Sequence, residues 1–187
     1  FNSEFHLQNF FEELPRMLKH FADYNELQTI DQLRAKSSVL PLGLNLQRFD
    51  KHRSNKQSDT PIILWNHRWE ADKNPKTFFK ALYKLDSEGF DFHLVLLGEN
   101  FRQNPVEFEQ ARDHFGDRIL QYGFAESFET YAKLLWQADY AISTSYQDFF
   151  GISVAEAIYC GCIPILANRL NYPHLIPEKY HHDCLFR

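Results

Sequence analysis

No two of the seven glycines, at 43, 89, 98, 116, 123, 151 and 161, are separated by a single residue, and none is followed by lysine. The chain therefore lacks the G-x-G-x-x-G turn of classical dinucleotide binding and the Gly-Lys-Ser/Thr loop of P-loop hydrolases. Cysteine is scarce. Cys160, Cys162 and Cys184 make an odd count, which argues against a disulfide framework and sets the expectation of a reducing, cytoplasmic setting. No apolar run is long enough to cross a bilayer as a helix. The opening FNSEFHLQNFFEELP has no basic stretch followed by an apolar one, so it does not read as a signal peptide. It also has no initiator Met, so the chain is expected to be a piece of a longer protein. Basic charge is in deficit at a net −5. That balance gives no support to nucleic-acid binding by this piece, because neutralising phosphates needs clustered Lys and Arg, although a basic surface elsewhere in a longer protein stays open.

What is present is an ordinary globular composition, 44% hydrophobic and 24% charged, with 18 Phe against a single Met. Two zones differ in character. Residues 1–36 carry Leu7, Phe10, Phe11, Leu14, Leu18 and Phe21 at helical spacing behind a possible Ser3 cap. Pro15 should kink or split that helix. A shorter helix follows, with Leu27, Ile30 and Leu33 on one face. VLPLGLNLQRFD (39–50) reads as a short strand broken by Pro41 and Gly43, and DKHRSNKQSDT (50–60) as an exposed polar loop.

From residue 61 strand-like and helix-like segments alternate. Strands are predicted at 62–66, 92–98, 118–123, 139–144 and 162–167, with helices at 75–89, 105–116, 127–138 and 152–161. This is the pattern of a doubly wound α/β domain with a parallel sheet. Ligands of such sheets lie at the carboxyl ends of the strands, so the loops starting at Asn66, Gly98, Gly123, Thr144 and Ala167 are the ones to watch.

Two of those loops carry candidate chemistry. In DFFGISVAEAIYCGCIP (148–164) a turn at Gly151 opens a helix whose first N–H groups lack intrahelical partners and favour an anion. Asp148 and Glu156 flank it and can face one cleft, where carboxylates would accept from sugar hydroxyls. The alternative is that Asp148 is an N-terminal cap and Glu156 a solvated helix residue. In NHRWEADKNP (66–75), Arg68 and Lys73 stand five apart and could clamp a diphosphate. Their alternative is a pair of surface charges neutralised by Glu70 and Asp72. His181-His182-Asp183-Cys184 contains ligand-type residues, but four neighbours cannot easily converge on one ion, so a frayed terminus is expected and no metal is assigned. Cys160 and Cys162 read as packing residues.

Taken together, the two stretches resemble the family 4 retaining glycosyltransferases. That family has a strand, then Arg and, five residues on, Lys. Later it has Glu-x-Phe-Gly and then Glu-Ala, with seven residues between the two carboxylates. Here the second motif is Asp148-Phe149-Phe150-Gly151 with Glu156-Ala157 and the ending Gly161-x-x-Pro164. The likeness runs over about 39–180. It implies a Rossmann-like parallel sheet with flanking helices, the C-terminal half of a GT-B fold, at 39–187, behind a remnant of the acceptor-side domain at 1–38. More narrowly, FNSEFH, PLGL, the HRWEADKNP block and FFG…EAIYCGC are similar to the tRNA-queuosine mannosyltransferases and their bacterial relatives.

The resemblance implies that Arg68 and Lys73 bind the donor diphosphate and stabilise it as leaving group, and that Asp148 contacts the transferred sugar. It implies that the backbone of Phe149, Phe150, Gly151 and Ile152 meets sugar and phosphates, and that Glu156 holds the ribose. Gly98 would let a strand end approach the nucleotide, and the turn Tyr122-Gly123-Phe124-Ala125-Glu126 would lie by the base. Glu126 would then accept from guanine and favour GDP over UDP. The implied reaction moves mannose from GDP-mannose to queuosine in tRNA, with no metal or other cofactor and with the tRNA held by the absent half. One departure stands out: the first carboxylate is an Asp, one methylene short of the usual Glu. A polysaccharide or lipid acceptor, a 2-epimerase on the same scaffold, and a non-catalytic nucleotide-binding module remain open at this point.

Overall fold

A computed structural model of the chain describes residues 1–54, 56, 59–99 and 105–187. Six parallel strands form one sheet: β1 (Ile62–Asn66), β2 (His93–Leu97), β3 (Ile119–Gly123), β4 (Tyr140–Ser143), β5 (Ile163–Ala167) and β6 (Leu185–Phe186), in the order β3-β2-β1-β4-β5-β6. Helices α1 (Glu4–Leu18) and α2 (Ile30–Ala35) precede the sheet. Helices α3 (Pro75–Ser87), α4 (Val106–Phe115), α5 (Phe128–Gln137), α6 (Ile152–Tyr159), α7 (Tyr172–Leu175) and α8 (His181–Cys184) follow in turn. The five expected strands and the four helices between them are all present, trimmed by a residue or two at their ends. Among the described residues no helix is long and apolar enough to cross a membrane.

Side chains alternate across the strands, as a two-residue period requires. Ile62, Leu64, Val95 and Leu97 face one layer with Leu135, Ala132 and Ala157 of α5 and α6. Ile63, Trp65, Leu94 and Leu96 face the other with Phe78, Phe79, Leu82, Phe108 and Phe115 of α3 and α4. Strands coated on both faces must be apolar at every position, which is why IILWN and HLVLL read as unbroken hydrophobic runs. Trp65 is fully buried, and truncating a residue of that size costs about 3–5 kcal/mol.

Three expectations fail. Residues 39–45 form no strand, and Leu46–His52 is a 3-10 run. Leu40 is 78% exposed and Leu42 is exposed as well, while Phe49 beyond them is fully buried. The alternating leucines thus have no apolar layer to face, and Pro41 has no N–H to give a neighbouring strand. Helix α1 is not split at Pro15. That proline lies in its last turn, where only one backbone bond is forfeited. Residues 181–184 are not frayed either. They form α8, which leads into β6, where Leu185 and Phe186 pair with Leu166 and Ala167. Of the expected loop at 50–60, Asn55, Gln57 and Ser58 lie outside the described residues.

The strand order reverses direction between β1 and β4. Each runs on into a loop at its carboxyl end, and the two loops diverge to opposite faces of the sheet. The crevice between them is where open α/β sheets bind ligands.

Candidate active site

A cleft of about 1320 Å³ opens at that reversal. The loop after β1, the turn after β3 and the segment leading into α6 wall it, with Asn2 and Leu42 from the amino-terminal zone at the rim.

The β1 loop is set by backbone packing. The Trp65 indole N–H donates to the His67 carbonyl at 3.0 Å, and the Trp69 indole donates to the Leu97 carbonyl at 3.2 Å. A Cβ on Gly98 would stand 2.1 Å from the His67 oxygen. Gly98 lines the cleft, but what requires glycine there is the chain's own carbonyl pressed against the end of β2. Arg68 is exposed and meets Glu70 at 3.1 Å. Lys73 is buried, with Nζ donating to the Gln147 carbonyl at 2.5 Å and lying 3.2 Å from Asp72. The neutralising pairs weighed from the sequence therefore exist, yet both cations line the cleft. Lys73 is fastened to the residue preceding Asp148, which joins the two walls.

Across the cleft, Gly151 starts α6 at φ +88°, and a side chain there would meet Leu175 at 2.8 Å. Oδ1 of Asp148 accepts from the N–H groups of Phe150 at 3.2 Å and Gly151 at 2.8 Å, and its Oδ2 accepts from the Tyr172 hydroxyl at 3.3 Å. Asp148 is thus a cap as well as a cleft residue. The amides of Phe150 and Gly151 are already spoken for, and Ile152, Ser153 and Val154 remain as the first-turn donors without an intrahelical carbonyl. Phe149, Phe150, Gly151 and Ile152 all line the cleft.

Glu156 is buried, not solvated. Its Oε1 accepts from Arg48 at 2.8 Å and its Oε2 from the Tyr131 hydroxyl at 2.6 Å. Asn66 donates to Tyr131 at 2.9 Å and to the Ser153 carbonyl at 3.3 Å. Arg48 lies over the Phe128 ring at 4.3 Å. Burial and the Glu156 carboxylate hold the Tyr131 hydroxyl well above its usual range, so it serves as a donor.

His67 completes this wall. It is 8% exposed, its Nδ1 lies 3.3 Å from the Ser153 hydroxyl, and it lines the cleft. Burial lowers its pKa to about 4, the Lys73 charge adds to that, and Asp148 and Asp72 oppose it. It is uncharged at neutral pH.

Phe124 and Glu126 of the turn after β3 line the cleft, whereas Tyr122 and Gly123 do not. The Tyr122 ring turns into the α4 layer, edge-on to Trp69 at 4.7 Å with Arg112 5.1 Å from its centre. The position of those two residues in the motif follows the strand end, but the pleat points the tyrosine away from the crevice. Four residues of the site are given no role by the sequence: Arg48, Tyr131, and Asn66 and His67 within the block 66–75. Among the described residues no three His, Cys, Asp or Glu side chains converge as a metal site.

The amino-terminal segment also reaches this wall. Ser3 accepts from the His6 amide, capping α1, and its hydroxyl donates to the Phe149 carbonyl at 2.5 Å. The His6 ring stacks on Phe149 at 4.0 Å. Helix α1 buries Phe11 and Leu14, while its Phe10 and Met17, and Phe21 just beyond its end, stay exposed.

Comparison with known proteins bears on this arrangement. A model of the group 1 glycosyl transferases matches residues 47–182. A model of the amino-terminal part of tRNA-queuosine alpha-mannosyltransferases matches residues 1–44. The tRNA-queuosine alpha-mannosyltransferase of Drosophila melanogaster is 33% identical over 187 residues, 96% of this chain and 49% of that protein. A GDP-mannose-dependent alpha-(1-6)-phosphatidylinositol dimannoside mannosyltransferase of Mycobacterium tuberculosis is 28% identical over 142 residues, 72% of this chain and 36% of that one. The chain thus spans about half the length, or less, of these curated relatives. Among solved structures, sucrose-phosphate synthase from Thermosynechococcus elongatus matches with a TM-score of 0.60 at 24% identity, covering 86% of this chain and 42% of that one. The C-terminal domain of a group 1 family glycosyl transferase from Francisella tularensis matches with a TM-score of 0.57 at 16% identity, covering 79% and 76%. These likenesses show the fold, the Rossmann-like α/β layer of GT-B glycosyltransferases.

Proposed function

The chain belongs to the group 1 glycosyl transferases, and on that premise we propose that it is the donor-binding part of a retaining mannosyltransferase acting on tRNA. The observation that carries the donor site is a single cleft bordered by Arg68 and Lys73 on one side and the first turn of α6 on the other. Two cations and a set of unpaired amides suit a diphosphate between them. Support for mannose and tRNA comes from the Drosophila relative and from the match over residues 1–44. Support for GDP-mannose comes from the mycobacterial relative.

In this reading the bond from the anomeric carbon to the diphosphate oxygen breaks, and a bond to the acceptor oxygen forms on the same face of the sugar. The acceptor's proton passes to the departing phosphate oxygen. The protein supplies position and charge rather than a base. Arg68 and Lys73 hold the leaving group. Asp148 orients the sugar. Glu156, its carboxylate fixed by Tyr131 and Arg48, receives the ribose hydroxyls. Glu126 faces the base. The acceptor-holding half lies in the part that relatives have in addition, and residues 1–38 belong with it. The 187-residue chain alone is expected to bind nucleotide and transfer nothing.

A thermal-shift panel of GDP, GDP-mannose, UDP and ADP tests the donor site. GDP and GDP-mannose should raise Tm, with a gain of about 2.7 kcal/mol at a hundredfold excess over Kd. No shift with any of the four overturns the donor reading. In a longer protein carrying the acceptor half, transfer of labelled mannose to queuosine-containing tRNA is expected, and its absence overturns the acceptor.

A further inference from the structure

His67 lines the cleft, and the donor reading gives it no task. Its place is fixed more tightly than that of Arg68 beside it. The Trp65 indole bonds its carbonyl, Gly98 packs on that carbonyl, and the imidazole stands edge-on to the Trp65 ring at 5.4 Å. Asp148, Asp72 and Lys73 are the charged groups that face it. Nδ1 meets the Ser153 hydroxyl at 3.3 Å, and Nε2 has no partner among the described residues. That nitrogen is the polar atom of the ring left over for a ligand in the cleft His67 lines.

Ser153 is also the second residue of α6, so the imidazole is tied to the helix start where an anion is favoured. Resting on the donor reading, we propose that His67 binds the donor's diphosphate, its Nε2–H donating to a phosphate oxygen while Ser153 Oγ–H donates to Nδ1. The opposite tautomer would present a lone pair to an oxyanion and be repelled. Occupancy by an anion therefore selects the Nε2–H form. The unliganded ring is uncharged at neutral pH, so in that form the contact adds direction without adding charge. It complements Arg68, an exposed cation, with a fixed donor.

The test uses the 187-residue chain and GDP. His67→Phe keeps the ring and removes both nitrogens, and His67→Gln keeps a donor near Nε2. Loss of a hydrogen bond to a charged group should weaken GDP binding by roughly 10- to 100-fold in His67→Phe, with most of the affinity restored in His67→Gln. In the wild-type chain, imidazole ¹⁵N spectra with GDP at pH 7 should show the Nε2–H tautomer, and this measurement decides the matter if the Phe variant does not fold. Wild-type affinity in His67→Phe, or an Nδ1–H or doubly protonated ring in the GDP-bound spectrum, overturns this inference alone. Failure of GDP to bind the wild-type chain overturns the donor reading and this inference with it.

Discussion

A histidine that its surroundings keep uncharged ties stability to pH in one direction. In the unfolded chain His67 titrates near 6.5, and in the folded chain near 4. Between those values the unfolded state binds a proton that the folded state does not, so stability rises with pH across that window and falls as pH drops. The full loss, reached at about pH 4, is on the order of 3 kcal/mol. Urea titrations from pH 7.5 to 4.5 should show wild type losing stability faster than His67→Gln, and parallel slopes would contradict the uncharged burial. The two cations should separate in the same kind of measurement. Arg68→Ala should leave stability within about 0.5 kcal/mol, since its pair is exposed, yet weaken GDP binding. Lys73→Ala should lower both, because it also empties the place of a buried side chain and removes its bond to the Gln147 carbonyl. Equal effects on folding would contradict the geometry. Gly98→Ala places a carbon on the His67 carbonyl at a backbone φ of +114°. It should cost about 3 kcal/mol or more, as read from the urea midpoint. Arg68, Lys73, Asp148 and Glu156 were legible in the sequence because their types and spacings are local. Arg48 reaches Glu156 across 108 positions and Asn66 reaches Ser153 across 87, and no window of sequence contains such pairs.

Among the elements, the central strands could be read because double coverage makes them wholly apolar. The stretch 39–45 misled because Leu40, Leu42 and Leu44 alternate as a strand would, while the sheet offers them no neighbour. Strand β6 was invisible because Leu185 and Phe186 are too few to make a period. Helix α1 is anchored at its start by one residue with two tasks. Ser3→Ala removes the cap and the bond to Phe149, and should cost about 1 kcal/mol, or roughly 2–4 °C in Tm for a chain of this size. Amide exchange at His6 should quicken with it. An unchanged Tm and unchanged His6 exchange would show that the cap is immaterial.

At the scale of the whole molecule the three thiols report on cooperative opening. Cys160, Cys162 and Cys184 are all buried, and burial, reinforced for Cys160 by the Glu156 carboxylate and for Cys162 by Cys160, pushes the first two up to about 12. Native protein at pH 8 should therefore react with a thiol reagent only as it opens. Cys184, beside the two-residue strand β6, should label first, and Cys160 and Cys162 together at the rate of global unfolding. Rapid labelling of all three in the native chain would contradict the packing between α6 and β5.

Asp148 spans the residue and the molecule. Its carboxylate occupies the amides of Phe150 and Gly151, two of the main-chain hydrogens an incoming anion would seek. In the empty protein the side chain acts as a resident counter-anion for the helix start. Turning it toward a sugar would release both hydrogens at once, so recruitment of the carboxylate and vacancy of its seat become a single exchange. A Glu at this position, with one more methylene, would hold that seat less well, and the shorter acid biases the unliganded loop toward the closed ring of bonds seen here.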